Sequence, residues 1–277
     1  MGRRVQYGDE PGEPLLGGDV SDGVVRVGAT VRRPSTAASP VVRHVLEHLE
    51  STGFEGAPRW LGQDALGRDV LTFVGGEVAG RPWPPWAGEA ERATSVARLT
   101  RRLDDAMRPL SVPAWAKSQG VPELPRMPPS IAPPPEFLCH LDITPENVVF
   151  RNAHAVALID FDLVRPGTAA EEVVNLLLWW AGWMAPEDRE AALRDIDPVA
   201  RGRTLADAYG LDLGIRALVP ALAVNSAQRA WHTMRWRSER LGGGWRRMWD
   251  AGVGERIRRR EGWLRERQEE LASALLD

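Results

Sequence analysis

The sequence predicts a two-lobed α+β fold, with a small β-rich N-lobe and a larger α-helical C-lobe, on three observations. β-branched residues alternate with glycines through much of the first third. A glycine-containing segment, Gly75-Gly76-Glu77-Val78-Ala79-Gly80, closes that stretch. Beyond it, apolar residues recur at helical spacing nearly to the end, apart from two short strand patterns around residues 147 to 164. A chain of 277 residues can bury the core such an arrangement needs. The expected division is an N-lobe over residues 1–76, with a hinge at its end, and a C-lobe over residues 77–277.

Taken in order, residues 15 to 33 read as strand, turn, strand, turn and strand, because valines alternate with Gly17, Gly18, Gly23 and Gly28. Ser39 is placed to cap a helix with Pro40 at its first position, and Val42, Val45, Leu46 and Leu49 supply its apolar stripe from about 40 to 52. Two strands are expected around Pro58 to Leu61 and from Asp69 to Val74, separated by the turn Ala65-Leu66-Gly67-Arg68. Val96, Leu99, Leu103, Met107 and Leu110 then mark one helix face. Residues 108 to 136, dense in proline, make an irregular surface connection. From residue 165 onward the pattern is helical, broken at Pro186, Pro198, Pro220 and Gly242-Gly243-Gly244.

Composition narrows the function classes. A chain 43% hydrophobic and 26% charged with net charge -3 is an ordinary soluble globular protein, and that balance does not point to nucleic acid as a partner. Cys139 is the single cysteine, which excludes an intramolecular disulfide and a cysteine metal cluster and suits a reducing compartment. Met1 to Gln6 lack the apolar core of a signal peptide, so a cytoplasmic location is expected. The most apolar run, Val173 to Met184, is interrupted by Asn175 and Gly182 and is too short to span a bilayer of ~30 Å hydrocarbon; no membrane partner is expected.

The chemistry is concentrated in Phe137 to Phe150 and Ala157 to Asp162, which read H-x-D-x-x-x-x-N, a strand, a turn near Asn152, a second strand and then D-F-D. Phosphoryl transfer needs a carboxylate that accepts the proton of an attacking hydroxyl, and oxygen ligands that hold magnesium against the phosphates. Asp142 fits the first need. Asn147, five residues on, and Asp160, returned by the hairpin to the same edge, fit the second.

This segment resembles the catalytic loop and metal motif of the aminoglycoside phosphotransferase, choline kinase and homoserine kinase group, relatives of protein kinases. The resemblance implies a two-lobed protein-kinase-like fold and transfer of the γ-phosphoryl of ATP or GTP to a hydroxyl of a small molecule with Mg2+. It implies Asp142 as catalytic base, Asn147 and Asp160 as metal ligands, and His140 and Glu172 as supports of the loop, Glu172 standing where the family usually has Asp. Asp162 is either a second carboxylate near the metal or a polar residue after the strand. Thr72, Phe73 and Val74 resemble the hinge against which adenine stacks; Ser21 and Arg32 or Arg33 are the candidate phosphate contacts, with arginine replacing the usual lysine. Leu141 replaces the arginine of the protein-kinase H-R-D motif and no A-P-E segment follows, which disfavours a protein substrate. The helix after Arg33 lacks a glutamate near its start, so Glu47 or Glu50 are the substitutes for the ion pair of the family. The altered cation and glycine loop also motivate the alternative of a degenerate nucleotide-binding protein with a regulatory role.

Other signals have plainer explanations. His44 and His48 are spaced as metal ligands but lack a third and fit a solvated helix face. The tryptophans, including Trp179, Trp180, Trp183, Trp231, Trp236, Trp245 and Trp249, belong mostly to the core, although some could line a pocket. The run Arg256 to Arg267 reads as a salt-bridged surface helix. If the acceptor were an aminoglycoside, Asp104, Asp105, Glu171 and Glu172 are the candidate carboxylates.

Overall fold

The computed structural model describes residues 7–8, 12–15, 23–110, 112–114 and 123–277. Its N-terminal part is an antiparallel sheet of β1 (Glu13–Pro14), β2 (Val25–Val27), β3 (Thr30–Arg33), β4 (Trp60–Gln63) and β5 (Asp69–Thr72), in the order β1-β2-β3-β5-β4. β3 is central, and its register places Val31 opposite Leu71 and Arg33 opposite Asp69. Helix α1 (Ser39–Ser51) buries Val41, Val42, Val45, Leu46 and Leu49, the stripe its sequence periodicity predicts. Its cap is Ala38, one residue earlier than expected, because Ser39 turns its Oγ back to accept the Thr36 N–H at 2.9 Å.

The chain leaves this sheet through Gly75 and Gly76. Glu77 pairs with Phe150, each N–H donating to the other's carbonyl at 2.8 to 2.9 Å. A Cβ on Gly76 would meet the Phe150 carbonyl and the Val149 side chain at 2.5 Å, so this close crossing requires glycine. Helix α2 (Ala90–Met107) buries Val96, Leu99, Leu103 and Met107. The described part of the proline-dense connection is irregular, as its composition demands.

The remainder holds two small two-stranded sheets, β6 (Phe137–Cys139) with β9 (Arg165–Gly167) and β7 (Val148–Arg151) with β8 (His154–Leu158), followed by helices. These are α3 (Ala169–Trp180), α4 (Pro198–Tyr209), α5 (Leu213–Arg216), α6 (Val219–Arg240), α7 (Gly243–Asp250), α8 (Val253–Glu266) and α9 (Gln268–Leu276). Pro198 and Pro220 open helices, where a missing N–H costs nothing. One contiguous buried cluster runs from Val41 through Phe137, Ile143 and Trp180 to Leu275. No helix among the described residues is long and apolar enough to cross a membrane.

Candidate active site

The loop after β6 is shaped from below by α3. The left-handed Leu141 (φ 58°) turns the chain so that the N–H groups of His140 and Leu141 point the same way, and the Glu172 carboxylate accepts both at 2.8 Å. One turn further along α3, Asn175 accepts the Ile143 N–H at 2.7 Å, and Trp180 donates its indole N–H to the Ile143 carbonyl at 2.8 Å. A reciprocal cap between Thr168 and Glu171 starts this helix and fixes where Glu172 stands.

The β7-β8 hairpin turns at Asn152 and Ala153 (φ 50° and 62°) and returns the chain to the loop. There Ile159 donates its N–H to the Asn147 carbonyl at 2.9 Å, and the His140 Nε2 contacts the Ile159 carbonyl at 3.1 Å. Asn147 directs its side-chain N–H groups to the Asp142 carbonyl at 3.0 Å and carboxylate at 2.8 Å. Asp160, itself left-handed (φ 61°), follows directly. Asp142, Asn147 and Asp160 therefore converge, as their spacing predicts, and the end of Asn147 left for a hard cation is its amide oxygen.

Burial dominates the electrostatics here. It pushes Asp142 up to about 7, reinforced by the charge of Asp160 and opposed by the Asn147 hydrogen bond. Burial pushes His140 down to about 4, against the pull of Asp160, so this imidazole is neutral and braces the loop. Glu172 is pushed up to about 7 by burial against the two N–H bonds that favour its ionised form. Beneath it, the buried Asp104 is raised well above the usual carboxylate range by desolvation and by Glu172, while Tyr209 donates its hydroxyl to it at 2.5 Å.

Of the two arginines considered as phosphate contacts, Arg33 faces the site: it donates to Asp160 at 3.4 Å and is paired with Asp162. Arg32, on the opposite side of the strand, bonds Thr30 at 3.2 Å and stacks 4.6 Å from the Tyr7 ring. Glu47 and Glu50 do not form the substitute ion pair: both are exposed, and Glu50 lies 3.6 Å from Arg59. In the predicted hinge, the N–H groups of Thr72 and Phe73 donate to the carbonyls of Arg59 and Ala29, and the Phe73 ring stacks 3.8 Å from Arg26. Ser21, with Gly17 and Gly18, lies outside the described residues. His48 contacts the Ala106 carbonyl at 2.9 Å and joins α1 to α2, so it is not a solvated side chain.

A cavity of about 420 Å³ opens beside the Asp142 loop, walled by α3, α6, α7 and α8. Of the four carboxylates considered for an aminoglycoside, only Glu171 lines it. Asp104 and Glu172 are buried beneath the loop, and Asp105 is exposed and paired with Arg101 at 2.9 Å. Trp179, Trp183 and Trp245 line the cavity, while Trp180 is wholly in the core. Sequence reasoning missed Arg237 and Arg260, which also face it. Arg260 stands three residues after Ile257 and four before Leu264, on the buried side of a helix read as a surface element.

A family model described as phosphotransferase enzyme family, APH, matches residues 122–209, which span the loop, the hairpin and α3. The trifolitoxin immunity protein of Rhizobium leguminosarum bv. trifolii is 30% identical over 197 residues, 68% of this chain and 70% of the relative. The chain belongs to the phosphotransferase enzyme family. Solved structures give this phosphotransferase-family chain its protein-kinase-like fold. A choline/ethanolamine kinase family protein from Mesorhizobium loti superposes with a TM-score of 0.52 at 15% identity, covering 97% of this chain and 92% of that one. The streptomycin-ATP-APH(2")-IIa ternary complex superposes with a TM-score of 0.50 at 12% identity over 90% and 91%.

Proposed function

We propose that this phosphotransferase moves the γ-phosphoryl group of ATP or GTP to a hydroxyl of a small molecule, in a cleft between residues 1–76 and 77–277. The observation that carries this is the meeting of Asp142, Asn147 and the Asp160 end of the hairpin, tied by the 2.8 Å Asn147 to Asp142 bond and the 2.9 Å Ile159 to Asn147 bond. Asp142 accepts the proton of the attacking hydroxyl; held near 7 by burial, it has the affinity for a proton that a base needs at neutral pH. Magnesium, held by Asp160 and the Asn147 amide oxygen, would neutralise charge on the phosphates. Arg33 is the phosphate contact, and its present bonds to Asp160 and Asp162 keep its guanidinium aimed at the place the phosphates would take. Val74 meets the base, since its neighbours' N–H groups serve the sheet.

The measurement is ADP or GDP release across aminoglycosides, macrolides, choline-like alcohols and sugars, with trifolitoxin added because the Rhizobium relative is an immunity protein. Asp142→Asn is expected to slow the reaction by roughly 10²–10⁴; a variant as fast as the parent refutes the assigned base. The Arg33 pairing with both carboxylates also favours a second reading, a nucleotide-binding regulator without turnover. Nucleotide binding without transfer to any acceptor or to water would favour it.

A further inference from the structure

The cavity beside Asp142 has unequal polar walls. Apart from Asp142, its carboxylates are matched: Glu171 serves the cap of α3 and lies 3.8 Å from Arg165, Asp160 and Asp162 face Arg33, and Glu146 is paired with Arg81. Glu146 leaves its second oxygen, Oε2, buried and without a hydrogen-bond partner among the described residues. The far wall is different. Arg260 and Trp179 both line the cavity, and the Nε of the first and the indole Nε1 of the second are buried without a hydrogen-bond partner among the described residues. The two side chains adjoin, with the guanidinium carbon 6.0 Å from the indole ring. Arg237, 4.3 Å over the Trp245 ring, also forms no ion pair among the described residues. Asp188, the carboxylate that most favours charge on Arg260, is itself gripped by Arg259 at 2.8 and 2.5 Å.

Indole and guanidinium N–H groups only donate, so the partner missing from this corner is an acceptor, and a cationic guanidinium favours an anionic one. Most of the rest of the wall is apolar, from Val174 and Leu178 on α3 to Met234, Met248 and Ile257 on the helices opposite, with Asn175 and Ser226 among the polar exceptions. We infer that the acceptor is a largely apolar, hydroxyl-bearing molecule carrying a carboxylate, which Arg260 and Trp179 receive while its hydroxyl faces Asp142. This rests on the proposed phosphoryl transfer for its orientation, and it makes a polycationic acceptor the wrong class. Burial pushes both Arg260 and Arg237 down to about 10, which still leaves each charged at neutral pH.

The test uses the whole chain and calorimetric binding of N-benzoylserine, its neutral carboxamide and the amine phenylalaninol, none of which requires turnover. The carboxylate is expected to bind about tenfold or more tighter than the carboxamide, the gain of a charge-assisted bond, and phenylalaninol weakest. Arg260→Gln should abolish the difference between carboxylate and carboxamide, and Arg260→Lys should retain part of it, which separates lost recognition from lost folding. If the parent binds the carboxylate no better than the carboxamide, including failure to bind either, or if Arg260→Gln keeps the preference, the inference is wrong. Its failure is distinct from that of the reaction: ADP release with another acceptor, and its loss in Asp142→Asn, would stand even then. A carboxylate preference without any ADP release would instead sink the reaction and leave the recognition intact.

Discussion

Removing the carboxylate beneath the loop tests how that loop is held. Glu172 is fully buried and accepts the N–H groups of His140 and Leu141, both at 2.8 Å. Glu172→Ala leaves two buried donors without partners, each costing about 1–3 kcal/mol, so a loss of about 4 kcal/mol is expected. Glu172→Gln keeps the shape but turns an amide N–H₂ toward one of the two donors. It loses about 2 kcal/mol at that bond and recovers part through relief of the repulsion with Asp104, for a net loss of about 1 kcal/mol. Urea unfolding at pH 7 measures both. ADP release measured in parallel should fall by more than lost folding accounts for in Glu172→Gln, because Asp142 directly follows the His140 and Leu141 N–H groups that Glu172 holds. The reasoning is refuted if Glu172→Ala unfolds within 1 kcal/mol of the parent, or if Glu172→Gln costs as much as Glu172→Ala.

Two further outcomes follow from the same region. Ala153→Gly should stabilise the chain by about 0.5–1 kcal/mol, because φ of 62° in the two-residue hairpin turn strains a side chain that glycine lacks; thermal unfolding reads it, and a lowered Tm contradicts it. Asp104 has a folded pKa raised above its unfolded value, so the unfolded state holds fewer protons and parent stability falls with rising pH, by up to about 1.4 kcal/mol per unit above pH ~4 until the folded value is reached. Asp104→Asn lacks this loss, so its stability relative to the parent should grow between pH 5 and pH 7 in urea unfolding; an unchanged difference refutes the assigned titration.

The candidate site was legible in the sequence because its parts are local. Asp142 and Asn147 share one loop, and a short hairpin of apolar strands is enough to return Asp160 to them, so order and spacing carry most of the geometry. The choice between Arg32 and Arg33 was not legible: two arginines in succession fit either parity, and only the pairing of β3 with β5 decides which faces the carboxylates. Strand β9 escaped notice because Arg-Pro-Gly has no strand character of its own and pairs only where Phe137 to Cys139 is set beside it. Arg260 was hidden by its neighbours, since a run of alternating Arg and Glu looks solvated all round until helix contacts show that one side is covered. Asp104, a candidate pocket carboxylate beside Asp105, misled for the opposite reason: the 3.6-residue period turns it inward to Tyr209 and away from the cavity.

The three grips of α3 on the loop, through Glu172, Asn175 and Trp180, leave most of the opposite cavity wall to α6, α7 and α8. On the proposed function, chemistry and selectivity thus have largely separate foundations. A lineage could exchange side chains along those last helices, trying one customer after another, while the proposed base keeps its place.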